Sequence, residues 1–286
     1  MTQDRQNDSP RNHHDHADCD HSHGEEVTLV PGRRSFLAAC GCVMLGLSSA
    51  GSAMLASAAR AEAGGTRLRV GHLPAGCVSH LLLAKKRGMF AEAGLNVELT
   101  QFNGPPENLQ ALVAGSLDLM HNPWTTTMAA YGQGTKNLRI VGGSGLAGVE
   151  LVAREGTVKN VNGFISAAGT GLRVGTLRLD TLELVGYGIM AQHGKTYDDY
   201  EMTFFPSMVG MGEALQSGKL DVCTLVQPYA ETVVKQANGI YLADSNDVWG
   251  PEAPDCVITA TEETLAANSE TVTAYMTVLA NAATAF

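Results

Sequence analysis

The sequence predicts an α/β protein of two related lobes, and three observations carry that expectation. Strand-like and helix-like segments alternate from residue 67 to residue 236, and a short motif recurs once in each half. The 286 residues, 44% hydrophobic and 17% charged, supply enough apolar surface for a large core or two smaller ones. The formal net charge of -10 and the lack of clustered Lys and Arg exclude a nucleic-acid-binding class, because phosphate contacts need basic patches.

The first half reads as strand 67–72, helix 78–87, strand 96–101, helix 106–114, strand 117–121, helix 123–132 and strand 138–142. The second reads as strand 172–175, helix 179–192, strand 200–205, helix 208–216, strand 221–226 and helix 228–236. This alternation predicts largely parallel strands whose ends line a common edge, where α/β proteins place their sites. Ala111-Leu112-x-x-Gly115-x-Leu117-Asp118 returns as Ala214-Leu215-x-x-Gly218-x-Leu220-Asp221. In each copy a helix ends at a glycine suited to a left-handed C-cap, and the chain turns into a buried strand. Asn122-Pro123-Trp124 and Gln227-Pro228-Tyr229 then open the next helices, Pro suiting the first helical turn. The expected organisation is a leader over 1–63, lobe 1 over 64–153, lobe 2 over 154–250 and a return to lobe 1 over 251–286.

Residues 1–63 read as a targeting segment. Arg33 and Arg34 precede Ser35-Phe36-Leu37, a Gly/Ala-rich apolar run follows to Ala59, and Ala59-Arg60-Ala61 and Ala61-Glu62-Ala63 offer small-residue cleavage sites. The order resembles a twin-arginine export signal cut after Ala61 or Ala63, and implies the twin-arginine translocase as a partner and a periplasmic or cell-envelope location. An uncleaved membrane anchor is the alternative. Leu37-Ala38-Ala39-Cys40 has the form of a lipoprotein box but lies at the wrong end of the apolar run. His13, His14, His16, His21 and His23, with Asp15, Asp18, Cys19 and Asp20, form a leader that is either a metal-binding tract or a solvated extension. Beyond residue 63 remain Cys77, Cys223 and Cys256, without zinc-ligand spacing. A Cys223–Cys256 bridge is one reading, and two small core residues are the other.

Val70-Gly71-His72-Leu73-Pro74, Leu83-Ala84-Lys85-Lys86-x-Gly88-Met89-Phe90, Gly94-Leu95-x-Val97-x-Leu99 and Gly115-x-Leu117-Asp118 together resemble the nitrate, sulfonate and taurine class of ABC substrate-binding proteins, a class similar to the binders of thiamine-pyrimidine precursors. The resemblance runs from Thr66 to the last residue. It implies a periplasmic-binding-protein-like fold of type II with a cleft between the lobes, two chain crossings, hinge closure on a small anionic or polar solute, no cofactor or metal, a monomer, and an ABC permease and ATPase as partners. The helix-like stretch 269–286 stops where relatives usually continue, so a truncated C-terminus is one reading.

Candidate site residues fall at strand ends and helix starts, where free N–H groups and the helix dipole favour negative charge. Asn122, Trp124 and Thr125 combine an aromatic wall with polar donors, or else serve as caps and core. Ser79 and His80 open the first helix beside Cys77. A Cys77–His80 nucleophile would lack an orienting third group. Gly143 and Ser144 end a strand in a Gly-rich turn without the Lys-Ser/Thr of a P-loop. Thr176 and Thr181 bracket the first helix of the second half, while Gln227 and Tyr229 are expected to mirror Asn122 and Trp124. Trp249 could cover the cleft. The rival readings are an enzyme of the same fold, as in pyrimidine or menaquinone pathways, and a ligand-sensing lobe without transport.

Overall fold

The computed structural model describes residues 66–285, and the calls on Arg33, Arg34, Ala61, Cys40 and the His-rich leader lie outside them. Ten strands form two five-stranded sheets. The first contains β1 (Thr66–His72), β2 (Leu95–Gln101), β3 (Leu119–Pro123), β4 (Leu138–Gly143) and β10 (Cys256–Thr261), ordered β2-β1-β3-β10-β4. The second contains β5 (Val149–Ala153), β6 (Arg173–Leu177), β7 (Glu201–Phe205), β8 (Val222–Val226) and β9 (Ile240–Asp244), ordered β7-β6-β8-β5-β9. In each, one antiparallel strand, β10 or β5, is inserted among parallel ones. These two strands follow the two crossings of the chain between lobes.

The helices of lobe 1 are α1 (Ser79–Lys86), α2 (Met89–Glu92), α3 (Pro105–Val113) and α4 (Trp124–Gly132). Those of lobe 2 are α5 (Val161–Ser166), α6 (Thr181–Gln192), α7 (Met208–Gln216), α8 (Tyr229–Ala237) and α9 (Ser245–Trp249). The last helix, α10 (Glu262–Ala283), bends at Asn268 and packs Val272, Tyr275 and Leu279 into the lobe 1 core. Lobe 2 has its own core around Leu151, Val174, Val185, Ile189, Met211 and Leu225.

The recurrent motif has a physical basis. Asp118 accepts the backbone N–H of Arg69 at 2.7 Å and pairs with its guanidinium. Asp221 does the same to Arg173, at 3.1 Å for the backbone bond. Each Asp therefore fastens the start of one parallel strand to the next. Burial works to raise both carboxyls, but the Arg69 and Arg173 hydrogen bonds outweigh it and hold them below the usual range. The motif leucines press on the neighbouring strand: a Cβ at Gly71 would meet Leu117, and one at Gly175 would meet Leu220. Only glycine fits there.

Three expectations change. The boundary at 153 moves earlier, because β5 pairs into the second sheet and the first crossing occupies 144–148. The apolar run of β5 reads alike for either sheet, so sequence alone does not assign it to one lobe. The Cys223–Cys256 bridge is replaced by a Cys77–Cys256 disulfide with Cα atoms 6.2 Å apart, while Cys223 is a free, buried residue of β8. The expected mirror of Asn122 by Gln227 slips: Leu119 and Val222 pair with equivalent strand positions, so Asn122 corresponds to Leu225 and Trp124 to Gln227.

Candidate functional site

The two lobes meet directly. The backbone N–H of Gly76 donates to the Gln227 carbonyl at 2.9 Å, and the hydroxyls of Thr125 and Thr126 donate to the Leu179 carbonyl at 3.0 and 2.5 Å. Leu179 presents that carbonyl from a left-handed backbone conformation, φ 57°, which few non-glycine residues adopt. Its own N–H is held by Glu183. The first turn of α4 is thus latched onto lobe 2, and the Thr125 hydroxyl is occupied by protein.

Behind this latch lies a cavity of about 480 Å³ whose wall is drawn from both lobes and both crossings. Ser79 and His80 enter from α1, Ser144 from the end of β4, Gly145–Gly148 from the first crossing, Val226 and Gln227 from lobe 2, and Asp255 from the return crossing. Tyr229 instead lines a second inter-lobe cavity of about 370 Å³ with Pro74, Glu107 and Met208. Asn122 is fully buried within lobe 1, where its amide bridges the Pro105 carbonyl and Asn108. Thr176 is spent on Thr224, and the Thr181 hydroxyl donates to Asp255, with Asp180 Oδ1 3.2 Å away. Trp124 meets Trp249 edge to face at 6.5 Å, and its buried indole N–H has no acceptor among the described residues. A side chain at Gly143 would point into open space.

A buried polar relay supports the cavity wall. His121 contacts Tyr275 OH through Nε2 and Ser144 Oγ through Nδ1, both at 2.7 Å, and Ser144 Oγ contacts the Cys77 carbonyl at 3.2 Å. Tyr275 has no other acceptor, and burial holds its phenol well above the usual range, so it must donate to Nε2. Nδ1–H then donates to Ser144, whose own hydrogen serves Cys77. Burial, with His80 and His72 adding to it, pushes His121 down to about 3, so the ring is neutral. Such a histidine cannot take a proton from Ser144: its polarity is the reverse of a serine nucleophile's base. Cys77, bound in the disulfide, offers no thiolate either.

Sequence reasoning missed the relay, the Leu179 latch and two buried carboxylates. Asp180 caps α6 by accepting from Leu182, and burial pushes it up to about 7; Asp255 is raised to about 6 by the same cause. An acidic residue just before the apolar run of β10 was the available signal for Asp255.

A family model described as the NMT1-like family matches residues 61–286. The chain belongs to the NMT1-like family. A search of curated proteins returns no match. Among solved structures, this NMT1-like chain is similar to the ligand-binding component of an ABC-type import system from Staphylococcus aureus solved with zinc bound, with TM-score 0.67, 20% identity, and coverage of 76% of this chain and 73% of that one. It is also similar to the alkanesulfonate-binding protein SsuA of Xanthomonas axonopodis pv. citri bound to MOPS, with TM-score 0.66, 18% identity and coverage of 77% and 74%. A third is the periplasmic nitrate-binding protein NrtA of Synechocystis PCC 6803, with TM-score 0.65, 15% identity and coverage of 76% and 61%. These likenesses show that the NMT1-like chain has the two-lobed periplasmic-binding-protein fold. No helix among the described residues is long and apolar enough to cross a membrane.

Proposed function

We propose that this chain is the exported solute-binding component of an ABC importer, enclosing a small polar solute between its lobes for delivery to a permease and ATPase. One observation carries the reading: the cavity wall is assembled from both lobes and both crossings, so its volume depends on the lobe angle. A ligand that contacts both lobes binds the closed form more tightly than the open form, and that difference is what a transporter can recognise. The relatives' printed names, for sulfonate, nitrate and import-system binding proteins, support the same class. Ser79, His80, Ser144 and Gln227 are the proposed ligand contacts, with Trp124, Thr125 and Thr181 acting at the closure. The Arg33-Arg34 pair and a disulfide, which persists in oxidising compartments, support export through the twin-arginine route.

The Cys77–His80 nucleophile of the enzyme reading finds no support, since Cys77 is held in the disulfide with Cys256. The test is reconstitution of the protein with a candidate ABC permease and ATPase. Solute-dependent stimulation of ATP hydrolysis, with the solute recovered unchanged, is the expected result. Conversion of the solute to product would replace transport with catalysis.

A further inference from the structure

Asp255 lines the inter-lobe cavity, yet the residue is only 6% exposed. Its Oδ1 accepts the Thr181 hydroxyl at 2.5 Å. Its Oδ2 faces Cys256 Sγ at 3.6 Å, but that sulfur is bonded to Cys77 and has no hydrogen to donate. One oxygen of a buried carboxylate is therefore left without a donor among the described residues, where an uncompensated charge is costly. Asp180, fully buried at the start of α6, is a second carboxyl close enough to couple to it electrostatically.

The rest of the wall makes the imbalance sharper. No Lys or Arg is present among the residues lining this cavity, and burial keeps His80 from protonating readily. The hydrogen of Ser144 is taken by the Cys77 carbonyl and one of its lone pairs by His121, so Ser144 has a further lone pair to offer. An anion would meet a carboxylate and an acceptor. A donor-bearing cation would meet partners.

We propose that this cavity selects a solute carrying a cationic nitrogen group, an ammonium or amidinium, whose N–H bonds complete Asp255 Oδ2 and reach Ser144 Oγ. The inference rests on the solute-binding reading and narrows it to a class opposite in charge to the anion expected from sequence.

The experiment is calorimetry at pH 8 with size-matched probes: benzamidine against benzoate and benzenesulfonate, and putrescine against succinate. At least one cationic probe should bind the wild type, with affinity falling tenfold or more in Asp255→Asn, a substitution that retains the acceptor for Thr181. Wild-type affinity for that probe should also rise between pH 5 and pH 8 as Asp255 ionises, an arm that needs no variant. Asp180 from α6 and His80 from α1 are the other titratable groups facing this region, and Cys77 and Cys256 do not titrate as a disulfide. Binding of an anionic probe with affinity equal or improved in Asp255→Asn would overturn the cation assignment while leaving solute binding intact. Cation binding indifferent to both Asp255→Asn and pH would overturn it as well. Silence across every cation and anion would count against the solute-binding reading, and this inference would fall with it.

Discussion

Four aspartates bear on the chain's response to pH in two opposite directions. Asp118 and Asp221, held low by their arginine partners, contribute stability that is present above the normal carboxylate range and lost as pH falls through their folded values. Asp180 and Asp255, raised by burial to about 7 and about 6, act in the opposite direction. For them the folded state binds protons more tightly than the unfolded chain, so their contribution is fully present below about pH 4 and lost as pH rises through 6 to 7. Thermal unfolding of the ligand-free protein should therefore peak near pH 4 and decline as pH rises toward 7. Asp180→Asn keeps a competent helix cap and should raise stability at pH 8 by on the order of a few kcal/mol, with no gain at pH 4. A gain that is equal at both pH values would place its origin in packing and not in the carboxylate's charge.

At the scale of elements, glycines and a disulfide hold the parallel strands and the return crossing in place. Gly71→Ala and Gly175→Ala each drive a methyl into Leu117 or Leu220 and should destabilise by about 1–3 kcal/mol, measured by denaturant unfolding. The Cys77–Cys256 bond joins the loop before α1 to the start of β10 across 179 residues of sequence, and its reduction should cost about 2–4 kcal/mol. Unchanged stability of Cys77→Ser with Cys256→Ser would show that the bond does not constrain the chain.

Most parallel strands and the helices between them were legible because each shows its own apolar period and stop signal, whereas β9 and the short helices α5 and α9 were not read. The partner of Cys256 was not, since strand and helix patterns say nothing about which loop lies over a strand end. The direction of β5 and β10 was not legible, because an inserted antiparallel strand carries the same apolar run as a parallel one. Of the residues picked from sequence, Ser79, His80, Ser144 and Gln227 line one cavity, whereas Asn122 and Thr176 are consumed by contacts that only packing reveals.

Across the whole molecule, the lobes are joined by the Thr125 and Thr126 hydroxyls on the Leu179 carbonyl and by the Gly76–Gln227 backbone bond. Net contributions of about 0.5–1.5 kcal/mol per hydrogen bond make this a latch that a ligand can reinforce and thermal motion can open. Thr125→Ala with Thr126→Ala should expand the ligand-free protein in small-angle scattering and weaken solute binding severalfold, because closure must then be driven by the ligand alone. The account's central claim is that this is a clamp whose lobe angle is coupled to the solute between them. Single-molecule energy transfer between one dye on lobe 1 and one on lobe 2, titrated with the solute that stimulates the importer, tests it most directly. The account predicts two interconverting distances, with the shorter one filling as solute is added and the Thr125→Ala, Thr126→Ala double variant starting from the longer. A single distance, unmoved at saturating solute in both proteins, would contradict it.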